Sequence, residues 1–299
     1  MLNGDHVQAR FDGLFMSEPT SPRTLAAMHG ALAVIKPRSG WQSFQLGELW
    51  TFRELFGTLA LRDIRVRYKQ TVLGAAWAVL QPLAQMIVFT AFFAAHGFST
   101  EGAPPSIFYF AGLLPWQLFA SSVSAAANSL VANRGLVTKV YFPRLVLPIA
   151  AITGTLIDFA ISFCVLLIIM AANHYAPSPN IIFLPLFLLI AVAAALAIGL
   201  WLAALNVEFR DVQYVIPFLI QFWLFVTPVI YPSSSVSGVR RLLLGLNPMS
   251  GVVEGFRWCI LGRPQPGSTL LISAASITAV LLTGLLFFRR MERTFADRL

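Results

Sequence analysis

Charge is what this sequence has least of. Only 11% of its 299 residues are Asp, Glu, Lys or Arg, while 57% are hydrophobic; a typical soluble domain carries about 25% charged residues. That shortage excludes an ordinary water-soluble domain and predicts an integral membrane protein whose natural unit is one bundle of spanning helices. Cysteine is scarce as well. Cys164 and Cys259 have no CxxC or metal-like neighbour, which argues against a disulfide framework or zinc site and for simple packing. No Gly precedes a Lys and then a Ser or Thr, so the phosphate loop that cradles ATP is missing. HExxH and GxSxG are missing too, and His6, His29, His96 and His174 are widely separated, so neither a catalytic residue nor a metal site is expected. Within the apolar runs Asp158 is the one ionisable acid or base, with no Lys or Arg beside it. A proton-driven carrier needs more intramembrane charge than that. The chain reads as a pathway without a motor of its own.

What is present is a series of apolar runs. A span takes about 20 mostly apolar residues, and six runs qualify: 71–95, 106–131, 145–172, 181–205, 212–231 and 269–288. If both termini are cytoplasmic, seventeen of the 21 Lys and Arg fall on the inner side and four, Arg240, Arg241, Arg257 and Arg263, on the outer. That distribution satisfies the positive-inside rule. It also accounts for the net charge of +8 without nucleic acid, since the basic side chains sit beside apolar runs where anionic lipid head groups are the natural partner. Residues 1–40 lack the apolar core of a signal peptide and read as a polar, partly disordered tail. Over 41–70, Leu49, Phe52, Leu55, Phe56, Leu59 and Val66 form an apolar stripe at helical spacing, with Arg53, Glu54, Arg62, Arg65 and Lys69 off it. This predicts an amphipathic helix on the cytoplasmic surface with its apolar face in lipid. Asp63 falls near the stripe and marks a bend or an end. Arg62, Arg65, Arg67 and Lys69 crowd the approach to the first span, where topology and lipid binding alone explain them and a contact with an ATPase or a substrate phosphate is the added reading.

Three further stretches stand out. The 133–144 segment, NRGLVTKVYFPR, is short and basic, bracketed by Gly135 and Pro143. The segment 238–262 is amphipathic and too broken by Gly and Pro to span, which predicts two short helices that dip into the outer leaflet and return. Glu254 and Arg257, three apart, share a helical face there. In the third span Asp158 must face protein or water, and Thr155 and Ser162 flank it at helical spacing as partners for a protonated carboxyl.

Five stretches together resemble one family: RDIRVRYKQTVLGAAWAVLQPL (62–83), FYFAGLLPWQLFA (108–120), NRGLVTKVYFPRLVLPI (133–149), LNVEFRDVQYVIPFLIQFWLFVTPVIYP (205–232) and LNPMSGVVEGFRW (246–258). In this order they resemble the permease subunits of ABC transporters that export O-antigen, teichoic acid or capsular polysaccharide, and they cover about 40–299. The resemblance implies an all-α protein of the bacterial inner membrane: an interface helix, six spans, and short outer gate helices before the last span. It implies a homodimer with two separate ATPase subunits that bind ATP and Mg, so this chain itself needs no cofactor. By the same resemblance Arg134, Lys139, Tyr141, Phe142 and Arg144 dock the ATPase; the alternative is a positive-inside loop that meets only lipid. Glu208, Arg210 and Asp211 become an ion-paired inner hinge, or a solvated loop. Phe218, Phe222, Trp223, Phe225 and Tyr231 line the channel, as aromatic faces suit the CH faces of sugars, and Phe108, Tyr109, Phe110, Trp116 and Phe119 cluster on span two; core filling is the alternative for all of these. Arg240, Arg241, Glu254 and Arg257 form an outer gate, or a rim facing head groups. Rival functions are export of a small hydrophobic compound or lipid on the same fold, a membrane-embedded transferase, and a scaffold.

Overall fold

The structure is a computed structural model and describes residues 50–69, 76–94, 96–236, 238–262 and 267–299. The tail expected over 1–40, the start of the interface helix and residues 70–75 lie outside the described residues. Every regular element among the described residues is helical. In chain order these are α1 (Arg53–Lys69), α2 (Ala76–Phe89, continued by a π-helical turn at Thr90–Ala94), α3 (Pro105–Ala132), α4 (Arg134–Lys139) and α5 (Val146–Ala172). After a 3-10 turn at Pro179–Phe183 follow α6 (Leu184–Glu208), α7 (Val212–Val226), a second 3-10 turn at Ser233–Ser235, α8 (Val239–Leu246), α9 (Pro248–Leu261), α10 (Ser268–Glu292) and α11 (Phe295–Arg298).

Five helical stretches are long and apolar enough to cross a membrane: Ala76–Ala94, Pro105–Ala132, Val146–Ala172, Pro179–Glu208 and Ser268–Glu292. The run expected to span over 212–231 is shorter as a helix. It stops at Val226 after 15 residues, about 22 Å of rise against a hydrocarbon core of about 30 Å. Thr227 leaves the helical region, and Pro228 disfavours helical backbone in the residue before it.

The middle of the bundle is α3. It packs chiefly on α6 and α5, and further on α9, α2 and α7. Phe108, Tyr109, Phe110, Trp116 and Phe119 are all buried there, so the aromatic cluster of span two is core within this chain. Where α3 meets α6, a Cβ at Gly199 would stand 2.7 Å from that of Ala126. Small residues at such a crossing let two backbones approach closely, as membrane helices require. Pro82 lies inside α2 and cannot donate to the carbonyl of Ala78 four residues back. Ser162 of α5 donates to that carbonyl instead, at 2.9 Å, so a proline in the span leaves no carbonyl unmet.

The apolar face of α1 corrects an expectation. Phe52, Leu55, Phe56 and Leu59 pack into a cluster with Phe142, Leu147, Phe288 and Phe295, so this face meets protein rather than lipid. Val66, placed on the same stripe, is exposed. The helix also runs unbroken through Asp63 to Lys69. Asp63 is tolerated because Arg62 pairs with it at 2.7 Å.

Candidate functional site

At the end of the bundle that carries α1, a six-residue helix stands between two longer ones. Asn133 closes α3 and precedes α4, and Arg62 donates to its side chain at 2.7 Å. Beyond α4 the chain extends through Val140, and Tyr141 is 73% exposed while Phe142 is 2% exposed. Arg134 and Lys139 are exposed as well. The five residues expected to dock a partner therefore divide. Arg134, Lys139 and Tyr141 face outward. Phe142 is an anchor in the core and is removed from the contact set, because a side chain that sealed cannot reach a partner. Arg144 is half-buried, its backbone N–H donating to Glu292 at 3.0 Å. Behind α4 lies α11, with Phe295 fully buried against Phe288 at 5.2 Å between ring centroids.

The inner hinge is paired differently from the local arrangement expected. α6 ends at Glu208 and α7 begins at Val212, so the turn is tight. Glu208 binds Arg298 of α11 at 3.0 Å, while Arg210 and Asp211 are exposed. A partner ninety residues downstream is invisible to a reading of loop composition.

Asp158 is also partnered from afar. Arg67 forms an ion pair with it and Tyr68 donates to it at 2.5 Å. Burial and this bond push the Tyr68 phenol up to about 12, so it remains a donor at neutral pH. The flanking residues are occupied elsewhere: Thr155 with Ser122 at 2.6 Å and with the carbonyl of Ile152, Ser162 with the carbonyl of Ala78. The expectation of a protonated Asp158 bonded to Thr155 or Ser162 is therefore replaced by a carboxylate held by a guanidinium and a phenol. Of the basic cluster ahead of the first span, Arg67 turns to this pair and Arg62 to Asp63 and Asn133; Arg65 and Lys69 are exposed.

The aromatics of α7 split by face. Phe218, Phe222 and Phe225 are exposed on one side. Trp223 lies on the other, edge-on to Phe119 at 5.5 Å, with its indole N–H donating to Asn247 at 3.0 Å. Tyr231 lies past the end of the helix, in the turn that leads to Ser233. Asn247 is a junction: it caps α9 by accepting from Met249 N–H at 3.0 Å and donates to Thr227 at 2.9 Å.

Arg257 of α9, expected on a polar gate, is 4% exposed and points inward. It donates to the carbonyls of Pro228 at 2.8 Å, Val229 at 2.5 Å and Tyr231 at 3.3 Å. Its guanidinium lies 3.8 Å from the ring centroid of Phe108. Burial lowers its pKa to about 10, which still leaves it charged at neutral pH. Gly112 makes room for it, since a Cβ there would come within 2.7 Å of Nη2. Glu254 is half-buried, whereas Arg240 and Arg241 are exposed. Burial raises the Glu254 carboxyl above its ordinary pKa, opposed by a hydrogen bond from Ser233 and the charges of Arg241 and Arg257.

Comparison with known proteins bears on this arrangement. The ABC-2 type transporter family model matches residues 54–261, from α1 to the end of α9. The chain belongs to that family. Among relatives of this ABC-2 protein, the O-antigen export system permease protein RfbA of Myxococcus xanthus is 34% identical over 238 residues, 79% of this chain and 91% of that protein. RfbA of Klebsiella pneumoniae is 26% identical over 257 residues, 85% and 97% of the two chains. The polysialic acid transport protein KpsM of Escherichia coli is 29% identical over 244 residues, 78% and 92%. The matched family segment encloses the α4 face, the α6–α7 turn, the Asp158 pair and Arg257. It ends before α10 and α11, which supply Glu292, Phe295 and Arg298. Those three lie in a terminal stretch whose composition reads as an ordinary basic end, and no sequence signal marks them as supports of the α4 segment and the α6–α7 turn.

Proposed function

We propose that this ABC-2 protein is the channel-forming permease of an ATP-driven exporter in the bacterial inner membrane, with both termini cytoplasmic, and that its cargo is a polysaccharide or lipid-linked glycan. Two copies form the pathway and two separate ATPase subunits, which bind ATP and Mg, drive it. The observation that carries this reading is similarity over more than nine-tenths of the length of relatives named for O-antigen export and polysialic acid transport. Three features support it. With α7 and the turn after it, 212–231, taken together as the fifth of six crossings, seventeen of 21 basic residues fall on the side assigned to the cytoplasm, as the positive-inside rule asks. The exposed face of α4 offers Arg134, Lys139 and Tyr141 to a partner, while Phe142 fixes the same segment to the core. Phe218, Phe222 and Phe225 leave an exposed aromatic stripe on α7, suited to a second copy or to a sliding sugar chain. In this reading α8 and α9 are the re-entrant outer gate.

The test is a double charge reversal, Arg134→Glu with Lys139→Glu. Both side chains are exposed, so membrane insertion should be unchanged, while co-purification of the ATPase and surface display of the glycan should both fall sharply. Retention of both would remove the docking assignment. A deletion strain that still displays its full surface glycan would remove the export assignment.

A further inference from the structure

Polar side chains are costly in a membrane span unless they meet a partner or line a cavity. On α3 four of them, Gln117, Ser121, Ser124 and Asn128, are spaced 4, 3 and 4 apart, which places them on one face of the helix. They line a cavity of about 520 Å³ whose other walls are the end of α1, the first turns of α2 and the middle of α5. That volume falls within the roughly 300–1,000 Å³ common for small-molecule sites. Trp77 and Gln81 of α2 line it opposite the serines, and both are exposed in this chain.

The wall chemistry is selective. Its charged members are Arg67 and Asp158, which neutralise each other. No surplus charge is left on the wall for a phosphate or a carboxylate. What remains is amide and hydroxyl. Gln117 is tied to Gln85 of α2, and Asn128 accepts from Asn206 at 3.1 Å while donating to the carbonyl of Ser124 at 2.8 Å. Among the described residues the side chains of Gln81, Ser121 and Ser124 form no such bonds. Uncommitted neutral donors and acceptors beside an indole face match a ligand with many hydroxyls and apolar CH faces.

We propose that this cavity between α1, α2, α3 and α5 is a subsite for an uncharged sugar unit, bound by Gln81, Ser121 and Ser124 and stacked on Trp77. It rests on the export reading above and deepens it: the preferred cargo segment is a neutral sugar rather than an acidic one. Its lining residues come from α1, α2, α3 and α5 and none from α7, which carries the aromatic stripe, so an exported chain meets hydrogen bonds here and only stacking there.

Two measurements test this, the first on the permease reconstituted with its ATPase and the second in producing cells. In the first, exposed Cys164 is replaced by Ser and Ser121→Cys is labelled with a small water-soluble thiol reagent. Neutral oligosaccharides released from the producing cell's own surface polysaccharide should slow labelling about tenfold when supplied at about ten times their dissociation constant, since protection follows occupancy, and sialic acid oligomers at the same concentration should not. Absence of protection, meaning that the cavity holds water only, or equal protection by the acidic oligomers, overturns the proposal. In the second, Ser121→Val and Ser121→Thr are compared for surface glycan per inserted permease. The two side chains have the same shape and differ by a hydroxyl, so export should fall with Val and persist with Thr. Equal export from both overturns the subsite. A deletion strain with unchanged surface glycan instead overturns the export reading itself, so the two failures are distinct.

Discussion

A single buried guanidinium joins three parts of this molecule. Arg257 collects carbonyls from the turn after α7, lies over Phe108 of α3 and is carried by α9. That turn is not helical, so its carbonyls have no partners along their own segment, and an unmet carbonyl in an apolar interior is expensive. A buried cation and a run of free carbonyls satisfy each other. Arg257→Met keeps much of the apolar stem and removes the donors, at a cost on the order of 3 kcal/mol. Gly112→Ala keeps the guanidinium but places a methyl against it where no free volume remains, at about 1–3 kcal/mol. Both should lower the melting temperature of the detergent-purified protein, Arg257→Met by more. An unchanged melting temperature for both would mean that Arg257 does not hold α3, α9 and the turn after α7 together. Asp158 follows the same logic with opposite charge. Its partners come from α1, so the residue with the least favourable place in a span also fixes the helix that precedes the first span, α2.

Among the elements, α11 has an importance out of proportion to its four residues. It contributes Phe295 to the cluster that holds α1 and α4, and Arg298 to Glu208 at the α6–α7 turn. It therefore touches both the α4 segment and the turn from which the short helix with the aromatic stripe begins. The ion pair is partly exposed and contributes little by itself; the buried ring dominates. Phe295→Ala should cost about 3–5 kcal/mol locally. It should speed amide hydrogen exchange over 134–140 while leaving exchange at the other end of the bundle, over α9, unaltered. Arg298→Ala should change neither by much. Uniform acceleration across the chain would show that α11 supports the whole fold rather than the α4 face.

For the whole molecule, the distribution of exposed aromatics matters more than their number. The core takes Phe108, Tyr109, Phe110 and Phe119, while Phe218, Phe222 and Phe225 on α7 and Trp77 and Phe92 on α2 stay uncovered. Lipid tolerates such a surface, and so does a second copy of the chain. The homodimer reading expects Phe222→Cys, in a background lacking exposed Cys164, to form a disulfide-linked dimer in native membranes under mild oxidation. Leu271→Cys, on the exposed side of α10, should stay monomeric. Equal cross-linking at both positions would indicate random collision.

The sequence by itself determined the solvent and the order of the elements. Scarcity of charge and runs of about 20 apolar residues mark a membrane bundle wherever they occur, and the Gly- and Pro-broken stretch before the last run could not extend through a bilayer. It also exposed the basic residues of 133–144, because charge beside an apolar run is a local pattern. Only the tertiary structure decided who meets whom. Phe142 and Tyr141 are adjacent and both aromatic, yet one is sealed in the core and the other open to a partner. Glu208 chose Arg298 over its neighbour Arg210, Asp158 chose Arg67 and Tyr68 over the flanking Thr155 and Ser162, and Arg257 turned from Glu254 to three carbonyls. Periodicity reports which face of a helix a residue occupies, but the neighbour on that face comes from another helix. In an apolar medium each polar group must find a partner wherever one lies, and in this bundle those partners were supplied from far along the chain.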